Sequence, residues 1–180
     1  VFMIGAVCLL AACGPKENNA SKHMENAVVA YQQDGKDFEG YIAQPKKSDK
    51  KLPAVLLIHD WDGLDDYEKK RAQMLAENGY VAFAMDMYGK GVRAKNHKEA
   101  AELSGTYGKD RKLLRSRHET ALAELKKRPE VDATRIVVMG YCFGGMAAIE
   151  AALMGADIKG VVTFHAALVF PTLAADAKNV

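Results

Sequence analysis

Short apolar runs without alternation recur along the chain, separated by longer stretches with helical spacing. Ala54-Val55-Leu56-Leu57-Ile58-His59 is the clearest of the short runs and reads as a strand buried on both faces. Tyr80 to Asp86, Arg135 to Met139 and Gly160 to Phe164 predict further strands of the same kind. Between them, Asp65 and Asp66 offer caps for a helix to Asn78, with Tyr67, Arg71, Met74, Leu75 and Asn78 on one face and Gly79 as its stop. Lys95 to Leu103 is weakly helical, and Gly105 to Gly108 is expected to interrupt it. Asp110 to Lys127 predicts a better helix, striped by Leu114, His118, Ala121, Leu122 and Leu125, with Pro129 beyond its end. Met146 to Met154 is alanine-rich and helical. Upstream, Ala27 to Gln33 and Phe38 to Ala43 flank Asp34-Gly35-Lys36-Asp37, the pattern of an antiparallel hairpin, and Gln44 to Lys51 follows as a charged loop.

Strands alternating with helices imply right-handed crossovers and a mainly parallel sheet covered on both faces, an α/β class domain. In such sheets functional groups gather at the carboxyl ends of the strands. Those ends carry His59-Asp60-Trp61, Asp86 and Cys142, with His165 at a fourth.

Composition adds bounds. With 180 residues, 49% hydrophobic and 27% charged, the chain suits one globular domain. A net charge of +2 with both signs interspersed gives no basic stripe, so nucleic acid is not an expected partner. The pairs Lys46-Lys47, Lys50-Lys51 and Lys126-Lys127 read as solvated surface charge. No H-x-x-x-H, H-E-x-x-H or C-x-x-C spacing occurs, so neither a zinc site nor a dithiol redox site is expected, and no cofactor is implied.

The beginning of the chain differs from the rest. Residues 1–12 are apolar and uncharged, as in the core of a signal peptide. Leu10-Ala11-Ala12-Cys13-Gly14 resembles the lipobox of bacterial lipoproteins, which implies cleavage before Cys13 and a lipid on its thiol. No basic residue precedes the apolar core and position 1 is not Met, so this end reads as clipped. Residues 13–26 are then a polar tether, and residues 27–180 the folded domain. The expected location is the bacterial cell envelope, lipid-anchored and facing the periplasm or exterior.

Of the three cysteines, Cys8 would leave with the signal peptide and Cys13 would carry lipid. Cys142 is left without a disulfide partner. It stands in Gly140-Tyr141-Cys142-Phe143-Gly144-Gly145, between a predicted strand and a predicted helix: a nucleophile elbow with a thiol where serine is usual. The glycines permit a strained turn and close strand-to-helix packing, while the helix N-terminus favours a thiolate and offers the Phe143 N–H to a developing oxyanion.

Taken with Ile58-His59-Asp60-Trp61-Asp62-Gly63-Leu64 and Gly79-Tyr80-Val81-Ala82-Phe83-Ala84-Met85-Asp86-Met87-Tyr88-Gly89, this elbow resembles the dienelactone hydrolases, a cysteine branch of the α/β-hydrolase fold. The resemblance spans roughly residues 27 to 180. It implies hydrolysis of a small ester or lactone through a thioester on Cys142, served by a Cys-His-Asp triad. Trp61 would add the second oxyanion N–H. Asp60 matches a glutamate that helps activate the thiol, Asp60 and His59 together are expected to serve thiol activation or the pocket, and Lys90 matches the place of a substrate-binding arginine. The triad aspartate and histidine of the family follow the strand ending near His165, so they and the last strands are expected beyond Val180. Asp176 and His165 are not promoted in their place; His165 is expected to shape the floor of the pocket. Two other readings stay open: a non-catalytic, lipid-anchored binding module on the same scaffold, and a thiol-based redox sensor.

Overall fold

The computed structural model describes residues 23–166 and residue 168; the export segment, Cys13, most of the tether and Asp176 lie outside the described residues. In chain order the elements are β1 (Met24–Gln33), β2 (Lys36–Pro45), β3 (Leu52–Ile58), α1 (Asp66–Glu77), β4 (Val81–Met85), α2 (His97–Lys109), α3 (Arg111–Lys126), β5 (Val131–Tyr141), α4 (Phe143–Leu153) and β6 (Gly160–Phe164). They form one six-stranded sheet in the order β1-β2-β4-β3-β5-β6. The β1–β2 hairpin joins antiparallel through β2 to β4, whereas β4, β3, β5 and β6 run parallel.

Alternation along the strands divides the interior between the two faces of the sheet. On one face Leu56, Ile58, Phe83, Met85, Ile136 and Val138 pack with α3 and α4 side chains, among them Leu114, Leu125 and Ala147. On the other, Leu57, Ala82 and Ala84 meet Ala72 and Ala76 of α1. β3 holds the centre, which is why its run carries no polar residue: five consecutive side chains from Ala54 to Ile58 are buried.

Several expectations need correction. β1 begins at Met24, so the expected tether boundary before residue 27 falls inside a strand; Met24 and Glu25 pair with Pro45 and Gln44, and Gln44 donates to Glu25 at 2.7 Å. α2 runs through Gly105 and Gly108 without a break. Its start is fixed by Asn96, whose side chain accepts the Glu99 N–H at 3.0 Å, and its last turn is anchored by buried Tyr107. Tertiary anchoring of this kind outweighs two glycines. In α1 the buried face is Glu68, Ala72 and Ala76, while Tyr67 and Met74 of the expected apolar face lie exposed. Alanines there meet alanines of β2 and β4, and larger side chains would hold the helix off the sheet.

The ends of α1 follow the sequence closely. Asp65 accepts the Tyr67 N–H at 2.6 Å, and Glu68 reaches back to the Asp65 N–H at 3.1 Å, completing a capping box. On the opposite face, Glu150 of α4 is buried and receives Arg111 at 2.7 Å and Arg115 at 2.5 Å, which clasps α3 to α4. Among the described residues no helix is long and apolar enough to cross a membrane.

Candidate active site

Parallel strands β3, β4, β5 and β6 bring their carboxyl ends to one rim of the sheet. At that rim β5 turns sharply into α4 through Cys142, whose backbone sits at φ 52°, ψ −113°. A non-glycine residue in that region is strained by roughly 1–3 kcal/mol. The surroundings hold it there. The Cys142 N–H donates to the Phe164 carbonyl at 2.9 Å, and its own carbonyl accepts the Gly145 and Met146 N–H groups at 3.1 and 3.2 Å. Its thiol is half-exposed, makes no cap hydrogen bond and is in no disulfide.

Each elbow glycine answers a contact. A β-carbon on Gly140 would stand 2.0 Å from the Gly144 oxygen, and one on Gly144 would stand 2.3 Å from the His59 oxygen. The second distance presses the end of β3 directly onto the first turn of α4. It also sets the turn Asp60 to Gly63 beside the thiol's helix N-terminus. The Phe143 and Trp61 N–H groups have no hydrogen-bond partner among the described residues, as an oxyanion site requires.

His59 is completely buried and engaged at both ring nitrogens. The Met87 N–H donates to Nε2 at 3.2 Å, so the ring proton sits on Nδ1, which lies 2.6 Å from the Asp60 carbonyl oxygen. Burial lowers its pKa and keeps it neutral. The ring stands edge-on to Tyr88 at 4.6 Å and stacks on Phe143 at 6.3 Å. His59 is thus a joint between three loops and has no free nitrogen with which to take a proton from Cys142.

Asp60 accepts the Asp62 N–H at 3.2 Å, which folds the two carboxyls into one turn. The hydrogen bond between them, followed by partial burial and the charge of Asp60, pushes the Asp62 carboxyl up to about 6. Tyr88 donates its hydroxyl to the Trp61 carbonyl at 2.9 Å. Its phenol is pushed up, by burial first and then by Tyr107, Asp60, Asp62 and Cys142 around it. Neither Asp62 nor Tyr88 stood out as a site residue in the sequence. The alternation Asp60-Trp61-Asp62 was the signal available for the first, and for the second its place in the block Gly79 to Gly89.

The outlying candidates are arranged differently. Lys90 turns toward the hairpin, its ammonium 3.3 Å from Glu39 and its N–H donating to the Asp37 carbonyl at 2.9 Å. Arg93 in the same loop lies nearer the Asp60 turn, its Cα and Cγ both 3.5 Å from where a Gly63 β-carbon would be. His165 follows β6 in a left-handed backbone, φ 44°, and is exposed rather than set into a floor. Asp86, at the end of β4, is a structural carboxylate: it accepts the N–H groups of Tyr88, Gly89 and Glu39 at 3.0, 2.9 and 3.1 Å.

Comparison with known proteins matches residues 38–179 to the model of the dienelactone hydrolase family. A protein of Aquifex aeolicus, named provisionally as a carboxymethylenebutenolidase, is 34% identical over 126 residues, 68% of this chain and 53% of its own. Among solved structures, one named m3DLH superposes with a TM-score of 0.83 at 34% identity, covering 88% of this chain and 65% of its own. The dienelactone hydrolase-like promiscuous phosphotriesterase P91 from metagenomic libraries gives 0.81 at 32%, with the same coverage. The chain therefore spans about half the length of the curated relatives it matches. Its sheet order and strained elbow are those of an α/β-hydrolase fold, and with the match over residues 38–179 they establish that the chain belongs to the dienelactone hydrolase family.

Proposed function

We propose that the protein is a hydrolase of small esters or lactones that works through a thioester on Cys142, held at the bacterial cell envelope by a lipid on Cys13. The observation that carries the reaction is the strained elbow, which presents a free thiol at the start of α4 beside two unpaired backbone N–H groups. The Cys142 thiolate attacks the carbonyl carbon, and the carbonyl π pair moves to oxygen, where the Phe143 and Trp61 N–H groups receive it. Collapse re-forms the carbonyl and expels the alkoxide, which takes a proton; water then cleaves the thioester to release the acid and the thiol. The resemblance assigns delivery and collection of these protons to the histidine and aspartate of a Cys-His-Asp triad.

The Asp60–Asp62 pair lies in the turn after β3, whose His59 carbonyl packs against Gly144 in the first turn of α4. Lys90 pairs with Glu39, and Arg93 of the same loop packs against Gly63 of the turn. The lipid anchor rests on the sequence Leu10-Ala11-Ala12-Cys13 alone.

The test is turnover of a panel of p-nitrophenyl esters and small lactones by the full-length protein and its Cys142→Ala variant. The proposal expects a thioester on the Cys142 peptide by mass spectrometry and loss of at least about 10³-fold in rate on substitution. Equal rates in both proteins would sink it in favour of the binding-module reading. For the anchor, labelling cells with a palmitate analogue should tag the wild type and not Cys13→Ser.

A further inference from the structure

We infer that His59 and Tyr88 are positioning residues that aim the Trp61 N–H at the reacting carbonyl, by gripping the peptide groups on either side of Trp61. The inference rests on the oxyanion role proposed above for that N–H. His59 holds the first of these peptide groups directly. Its Nδ1–H donates to the Asp60 carbonyl at 2.6 Å, and that carbonyl belongs to the same peptide plane as the Trp61 N–H. In a trans peptide the C=O and N–H point in opposite directions, and no cis bond occurs among the described residues. Fixing the carbonyl therefore fixes the direction of the N–H.

The next peptide is held as well. The Tyr88 hydroxyl donates to the Trp61 carbonyl at 2.9 Å, so both peptide planes flanking Trp61 are tied to side chains packed under the site. Those side chains are themselves immobile. His59 is completely buried and receives the Met87 N–H on Nε2 at 3.2 Å, which sets its tautomer. Tyr88 is 1% exposed and lies 4.6 Å from the His59 ring, 5.8 Å from Phe143 and 5.1 Å from Tyr107. Phe143 carries the other oxyanion N–H, so the same aromatic cluster sets both donors. Preorganised donors stabilise developing charge because they do not have to turn toward it during the reaction.

Two reagents separate this role from a general loss of structure. Iodoacetamide alkylates Cys142 by displacement at a saturated carbon and develops no oxyanion; p-nitrophenyl acetate acylates it, with p-nitrophenolate leaving, through one. The ratio of acylation to alkylation rates at the Cys142 peptide, followed by mass spectrometry, isolates the oxyanion contribution and does not depend on later release of the thioester. In the full-length protein His59→Gln, whose amide nitrogen reaches the place of Nε2, should lower this ratio about 10- to 100-fold. His59→Asn, whose amide nitrogen reaches the place of Nδ1, should restore it to within about threefold of wild type. Tyr88→Phe, which keeps the ring and loses only the hydroxyl, should lower it about three- to tenfold. Unchanged ratios in His59→Gln and Tyr88→Phe would overturn the inference, as would equal losses in the two His59 variants. A wild type that alkylates at Cys142 but never acylates there would overturn the proposed function itself, and this inference with it.

Discussion

A β-carbon at position 144 would stand 2.3 Å from the His59 carbonyl oxygen and 2.5 Å from that of Ile58, both backbone atoms at the carboxyl end of the central strand. Neither can move without shifting β3, so Gly144→Ala should cost about 3 kcal/mol in urea unfolding. Surviving protein should also acylate slowly, since the shift carries the Trp61 turn with it. Cys142 presents the reverse case. Its φ of 52° is easy for glycine and strained for any other residue. Cys142→Gly should therefore unfold with about 1 kcal/mol more stability than Cys142→Ala, although neither can form a thioester. If the two variants were equally stable, the elbow would hold no strain worth the name. The thiol itself was fully legible in the sequence, because glycines at that spacing around one cysteine mark a strand-to-helix elbow. His59 was less so: its place at a strand end was evident, but its burial and the hydrogen bond on Nε2 depend on Tyr88 and Met87, which the chain brings to it from the loop after β4.

Elements were legible where a local signal marked them and obscure where packing decided. The Asp65 cap, the Asp34-Gly35 turn and the continuous apolar run of β3 all announce themselves. The buried face of α1 did not, because small residues rather than large ones face the sheet, and they bury Glu68 with them. That carboxyl is pushed up to about 8, chiefly by burial. A folded pKa raised above the unfolded value near 4.5 stabilises the fold below that value, and the contribution is lost as pH rises toward 8. Glu68→Gln, which preserves the capping box, should remove this loss and raise the melting temperature at pH 8.5 by several degrees, with little change at pH 5. His118 of α3 works in the opposite sense. It lies on the apolar stripe where the periodicity puts it, buried, with neither nitrogen hydrogen-bonded among the described residues. Burial lowers its pKa to about 4, against a weak opposing pull from the Ala147 carbonyl. The unfolded chain takes up a proton below its pKa near 6.5 that the folded chain refuses until about 4, so stability falls with pH across that interval. Melting curves of His118→Leu should be flatter between pH 6.5 and 4 than those of wild type.

For the whole molecule these two residues act on opposite faces of one sheet and bound its stability from both sides. From these two groups the melting temperature should be nearly flat between about pH 4.5 and 6.5, where their opposite slopes cancel, and should fall on either side. A profile rising steadily to pH 9 would contradict that account. Across the same fold, Glu150 joins α3 to α4 from a buried position, so Glu150→Ala should cost about 2 kcal/mol by denaturant titration, since the Arg111 and Arg115 left behind are half-exposed and can turn to water. Sheet order was the part least written in the sequence: alternation of strands and helices gives a parallel sheet, but β4 lying between β2 and β3 follows from long-range pairing. One such pairing reaches the reactive centre. The Cys142 N–H is held by the Phe164 carbonyl of β6, whereas the amides of Phe143 and Trp61 beside it are held by nothing among the described residues. In deuterated water the Cys142 amide should therefore exchange only when β6 peels away from β5, while the Phe143 and Trp61 amides exchange without any opening of the sheet. The protection of a single amide then becomes a clock for the β5–β6 pairing, readable without substrate.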